Sequence, residues 1–97
     1  MGYLHYGETR SFAFDDRELT HLRTVILGKL NLQESLVFTW LEDGRQRSIW
    51  LHPTIPLHFE FDDDVTPELN QDWVEQLLSL ANSPAGLRLI PEPITEG

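Results

Sequence analysis

Ser35 to Phe61, SLVFTWLEDGRQRSIWLHPTIPLHFEF, decides the fold. Asp43-Gly44 lies between two alternating apolar runs, and Asp-Gly suits a two-residue type I′ turn because both central residues need positive φ. Such a turn pairs Glu42 with Arg45, Trp40 with Arg47, Phe38 with Ile49 and Leu36 with Leu51. A four-residue loop leaves the same pairs. After the connector His52-Pro53-Thr54-Ile55-Pro56, Leu57, Phe59 and Phe61 alternate with His58 and Glu60, which predicts a third antiparallel strand beside the second.

Side chains alternate between the two faces of a strand. One face then carries the rows Leu36–Leu51–Leu57, Phe38–Ile49–Phe59 and Trp40–Arg47–Phe61 and reads as the core face. Arg47 sits between two aromatics there, where its guanidinium can stack and its tip can reach water. The other face carries Val37–Trp50–His58 and Thr39–Ser48–Glu60. Val37, Leu41, Trp50 and His58 make it the candidate interface; the alternative is that the first hairpin, Tyr3 to Phe14, folds over this face and buries Trp50 within the monomer.

Outward from this block, Tyr3–Tyr6 and Ser11–Phe14 read as a hairpin across Gly7-Glu8-Thr9-Arg10. Asp15 with Glu18 resembles a capping box. Leu19, Leu22, Ile26 and Leu30 then recur at helical spacing. Gly28 within that helix suggests close packing against the sheet. Thr66-Pro67 looks like the start of a second helix, with the apolar stripe Leu69, Trp73, Leu77 and Leu80. Leu87–Ile90 suits a last short strand. The order is ββ-α-βββ-α-(β), an α+β two-layer sandwich of an antiparallel sheet and two amphipathic helices. Residues 1–90 form one domain and 91–97 a mobile tail.

The 97 residues carry a net charge of −9. Residues 1–61 hold eight acids and six bases, whereas residues 62–97 hold eight acids and Arg88 alone. Proteins that grip phosphate backbones need clustered Lys and Arg. This chain has one lysine, Lys29, so direct binding to nucleic acid is not expected. Cysteine is absent, which excludes disulfides, thiol catalysis and a Cys-based zinc site. No run is long enough to span a membrane and the N-terminus lacks the pattern of a signal peptide, so the expected location is the cytoplasm.

Few motifs point to chemistry. His5, His21, His52 and His58 share no metal-ligand spacing and read as exposed or edge histidines. Asp62-Asp63-Asp64 lacks the glycine and glutamate of a calcium loop. No G-x-S-x-G, G-x-G-x-x-G or G-x-x-x-x-G-K occurs. Glu68, Asp72 and Glu75 line one face of the second helix and, with Asp62, Asp63 and Asp64, form an acidic stripe. That stripe is either a solvated face, a docking surface for a basic partner or a mimic of nucleic acid. No cofactor or metal is expected.

The opening MGYLHYG, the segment FDDRELTHLRTVILGKL, the hairpin ESLVFTWLEDGRQRSIWLHPTIPLHFEFD and the closing PELNQDW and ANSPAGLRLIPEP resemble a group of small single-domain proteins of unknown function from high-GC Gram-positive bacteria. Many members carry the label ATP-dependent DNA ligase, so the resemblance implies at most an accessory of DNA metabolism. Such ligases adenylate a lysine within K-x-D-G. Here Lys29 is followed by Leu30-Asn31-Leu32, and no ligase residue carries over. The expected function is a small acidic, non-enzymatic interaction module that binds a protein or a second copy of itself. The rival is a DNA-metabolism accessory or acidic DNA mimic.

Overall fold

In a computed structural model, residues 1–94 are described. The chain runs β1 (Gly2–Tyr6), β2 (Arg10–Phe14), α1 (Asp16–Asn31), β3 (Leu36–Glu42), β4 (Arg45–Leu51), β5 (Leu57–Glu60), α2 (Gln71–Ala81) and β6 (Leu87–Arg88). It is an α+β fold, with two helices and two three-stranded sheets of strand order β2-β1-β5 and β4-β3-β6. No helix among the described residues is long and apolar enough to cross a membrane.

The β3–β4 hairpin has the register that its turn dictates. Asp43 (φ 51°) and Gly44 (φ 76°) are both left-handed, and Leu36–Leu51, Phe38–Ile49, Trp40–Arg47 and Glu42–Arg45 are partners. The third strand is not where alternation suggested. β5 pairs with β1, matching Leu4 to Phe59 and His5 to His58, and leaves β4 alone. The connector explains this. Pro53 and Pro56 cannot donate to a ladder. His52 Nδ1 takes the Thr54 N–H at 3.1 Å, and the Ile55 N–H donates to the His52 carbonyl at 2.9 Å, so the chain turns away from β4. Gly7 then donates to the Pro56 carbonyl at 2.9 Å, delivering β5 to β1.

The two sheets meet through aromatics. Phe12 stands edge-on to Trp40 with ring centroids 5.0 Å apart, Phe14 lies 5.9 Å from Phe38, and Phe38 stacks on Trp40 at 4.9 Å. Leu4, Leu36, Phe38, Trp40, Leu51 and Leu87 complete the sheet side of the core. Ile49 and Phe59 are only partly buried beside it, so the expected central row has Phe38 alone at full burial. Arg47 does not stack between Trp40 and Phe61. Its Nε binds Glu42 at 2.7 Å at the exposed end of the hairpin.

Asp15 caps α1, accepting from the Arg17 and Glu18 N–H groups, and Glu18 bonds back to the Asp15 backbone. Leu19, Leu22, Val25 and Ile26 are buried, while Leu30 is partly so. Gly28 is exposed, and a Cβ there would meet nothing, so its expected packing role is absent. Helix α2 begins at Gln71 rather than at Thr66-Pro67, because Asn70 supplies the cap by accepting from the Trp73 N–H at 3.3 Å. Trp73, Leu77 and Ala81 are its buried face.

The last strand brings a parallel pair into an otherwise antiparallel fold, with Phe38 opposite Leu87. Parallel neighbours need a long crossover, which α2 supplies. Gly86 makes the approach possible: its φ is +86°, and a Cβ there would stand 2.7 Å from the Val37 carbonyl oxygen.

Candidate interaction surfaces

The outer face of the β4-β3-β6 sheet is built by register. Val37 lies opposite Trp50, Thr39 opposite Ser48 and Leu41 opposite Gln46, and Arg88 pairs with Thr39 from the far side. Thr39 Oγ1 and Ser48 Oγ are hydrogen-bonded at 2.8 Å. Trp50 is 51% exposed and Leu41 72%. The first hairpin does not fold over them. It sends the Tyr6 hydroxyl to the Trp50 carbonyl at 2.6 Å and leaves the indole open, stacked on His52 at a centroid distance of 6.5 Å. His58 belongs to the other sheet, edge-on to His5 at 5.3 Å. The four residues grouped by sequence therefore divide, with Val37, Leu41 and Trp50 on one sheet and His58 on the other. Their grouping depended on β5 pairing with β4.

Asp62, Asp63, Asp64, Glu68, Asp72 and Glu75 are all exposed. Glu68 precedes α2, so the stripe spans a loop and the start of the helix. Asp63 accepts the Val65 N–H at 3.0 Å, which organises the loop locally. Among the described residues, no group of three or more His, Asp or Glu side chains could hold a metal ion.

A further feature has no counterpart in the sequence reading. Arg17 on α1 grips Glu92, 75 residues away, with Nε and Nη2 donating to the two carboxylate oxygens at 2.7 and 2.6 Å. Asn70 Nδ2 adds a bond to the same carboxylate at 2.9 Å and another to the Pro93 carbonyl at 3.2 Å. These donors hold the Glu92 carboxyl down at about 2, with the Arg17 bonds the larger cause, and Glu92 in turn raises the Arg17 guanidinium. The clamp forms one wall of an open cleft of about 790 Å³ at the start of α2. A smaller cleft of about 330 Å³ lies between α1 and the segment after β5, lined by Thr20, Arg23, Phe59 and Phe61.

His58 is exposed and His52 follows the end of β4, as expected, but His21 is fully buried, its ring 4.5 Å from Trp73. Its Nε2 accepts the Asn70 N–H at 2.8 Å, so the proton is on Nδ1, which donates to the Arg17 carbonyl at 2.7 Å. His5 lies between Ser11 Oγ (2.7 Å, at Nδ1) and Glu60 Oε1 (2.9 Å, at Nε2). This serine–histidine–carboxylate chain has hydrolytic connectivity; Ser11 lies opposite His5 in the β1–β2 hairpin, and Glu60 reaches His5 from the neighbouring pair, opposite Tyr3. It lies on a sheet face outside the two clefts described above.

Lys29, the one lysine, is buried on α1, where Asn82 Oδ1 and the Glu34 carboxylate hold its Nζ.

No curated protein and no solved structure matches this chain. The profile of one family, described as a domain of unknown function (DUF7882), matches residues 1–92, and the chain belongs to that family.

Proposed function

We propose that this chain is a small acidic, non-enzymatic interaction module that binds a protein through the outer face of the β4-β3-β6 sheet. The observation that carries the reading is Trp50, half-exposed on the outer strand β4, with exposed Leu41 on the same face of the neighbouring β3. Tryptophan offers a large contact area and one donor, and it is over-represented where binding energy concentrates. The non-enzymatic part is supported by the position of Lys29, whose amine is engaged by Asn82 and Glu34. Labelled ATP with magnesium should leave it unmodified.

Trp50→Ser is the test. As an exposed side chain, Trp50 should be replaceable at nearly wild-type stability. Association, read by light scattering or by partner capture, should be lost. A variant that unfolds several degrees earlier with association intact would place Trp50 in the core and refute the reading.

The exposure of Asp62, Asp63, Asp64, Glu68, Asp72 and Glu75 supports a second reading, in which the acidic segment docks a basic partner of DNA metabolism. Replacing Asp62–Asp64 with asparagine should then weaken capture of a DNA-binding partner, with a steep loss at higher salt. Capture independent of both the substitutions and salt would exclude it.

A further inference from the structure

Strand β4 is an outer strand, and its register determines where each backbone group points. A two-residue turn makes Glu42 and Arg45 a hydrogen-bonded pair. Antiparallel pairs alternate from there, so Trp40–Arg47, Phe38–Ile49 and Leu36–Leu51 are bonded pairs as well. Gln46, Ser48 and Trp50 therefore turn their N–H and C=O groups away from β3. The Tyr6 hydroxyl on the Trp50 carbonyl agrees with that direction, and among the described residues it is the one group that reaches these outward positions. Outer strands are commonly blunted by proline, charged side chains, a bulge or a covering segment. β4 runs RQRSIWL, without proline and in unbroken register, and its charged side chains are Arg45 and Arg47, the second held by Glu42.

We propose that β4 pairs antiparallel with β4 of a second copy about a two-fold axis at Ser48, joining two three-stranded sheets into one of six. The proposal rests on the interaction-module reading and names its partner.

Charge selects both the occupant and the register. The hairpin Leu36–Leu51 contains Glu42 and Asp43 against Arg45 and Arg47 and is neutral, although the chain is −9. The acidic last third contributes β6 and α2, which pack together at the opposite side of the sheet from β4. Two copies can therefore meet by β4 without bringing their acidic segments together. An axis at Arg47 would set the two Arg47 side chains directly opposite, which is unfavourable. An axis at Ile49 would place Gln46 opposite His52, beyond the strand.

The axis at Ser48 avoids both. It pairs Ser48 with the partner's Ser48 and Gln46 with the partner's Trp50, so that outward groups meet outward groups. The Trp50 carbonyl has two lone pairs and can keep the Tyr6 hydroxyl while accepting the partner's Gln46 N–H. On the outer face, Val37, Trp50, the partner's Gln46 and the partner's Leu41 form one row, which brings the two exposed hydrophobic residues onto a shared surface. On the inner face, the Arg47 stem lies over the partner's half-buried Ile49.

Light scattering of the purified chain over a concentration series should approach twice the 11.3 kDa monomer. Gln46→Pro removes an N–H that only the partner uses, so it should give a monomer with a near wild-type melting midpoint. If that variant unfolds, charge decides instead. Ser48→Lys and Ser48→Glu should each be monomeric, and an equimolar mixture should recover the dimer mass, because the two side chains face each other only across this axis. A wild-type chain that remains monomeric up to millimolar concentration overturns the pairing. Partner capture sensitive to Trp50→Ser would leave the module reading standing in that case. A dimer unaffected by Gln46→Pro, or a mixture that fails to reassociate, also overturns the pairing.

Discussion

His21 Nε2 accepts the Asn70 N–H at 2.8 Å, so a buried side chain of α1 sets the place where α2 begins. Asn70 needs its backbone in position to cap the helix through its side chain, and His21 supplies the anchor while stacking on Trp73. His21→Phe keeps the ring and removes the acceptor of the Asn70 N–H. The expected loss is about 1–3 kcal/mol in a denaturant titration. His21→Ala should lose more, because it also opens a cavity. Wild-type stability for His21→Phe would show that the bond is dispensable.

Phe38 and Phe59 should separate. Phe38 is fully buried against Phe14 and Trp40, and Phe38→Ala should cost about 3–5 kcal/mol. Phe59 is half-buried at the rim of the smaller cleft, so Phe59→Ala should cost roughly half as much. Equal losses in urea titrations would mean that Phe59 is more enclosed than its position on β5 indicates.

Glu92 makes the clamp sensitive to acid. Its carboxyl is lowered from 4.5 to about 2 by the Arg17 and Asn70 bonds. A depressed carboxyl stabilises the fold above its unfolded value, and that contribution is lost as pH falls toward the folded one. Glu92→Gln should therefore be less stable than wild type at neutral pH. The gap in melting midpoint should close between about pH 4.5 and pH 2. A gap constant across that window would show that the carboxylate charge does not hold the clamp.

The hairpin was legible because its causes are local. Asp43-Gly44 sets the turn, and alternation sets the faces of Leu36 to Leu51 in the observed register. Alternation specifies a face and not a neighbour, which is why Phe59 was assigned to β4 when Leu4 is its partner. The Trp50–His58 pairing failed for the same reason. The start of α2 was misplaced because Thr66-Pro67 is a good local start, while the decisive contact comes from His21, 49 residues away. The Arg17–Glu92 clamp and the His5–Glu60 bond join residues whose sequence separation hides them. The parallel docking of β6 depends on two residues and on a glycine that the closing turn leaves left-handed.

The strand orders β2-β1-β5 and β4-β3-β6 also bear on how the chain is made. In each sheet a local hairpin forms one side and a distant segment closes the other. During synthesis, β1–β2 and β3–β4 can zip as they emerge, but the first sheet waits for residues 57–60 and the second for residues 87–88. Closing such separations costs loop entropy before any contact compensates it, and this slows folding. The nascent protein therefore holds two half-built sheets with their apolar faces open until almost all of the family domain has been translated. In that interval, rather than in the finished fold, aggregation has its best opportunity.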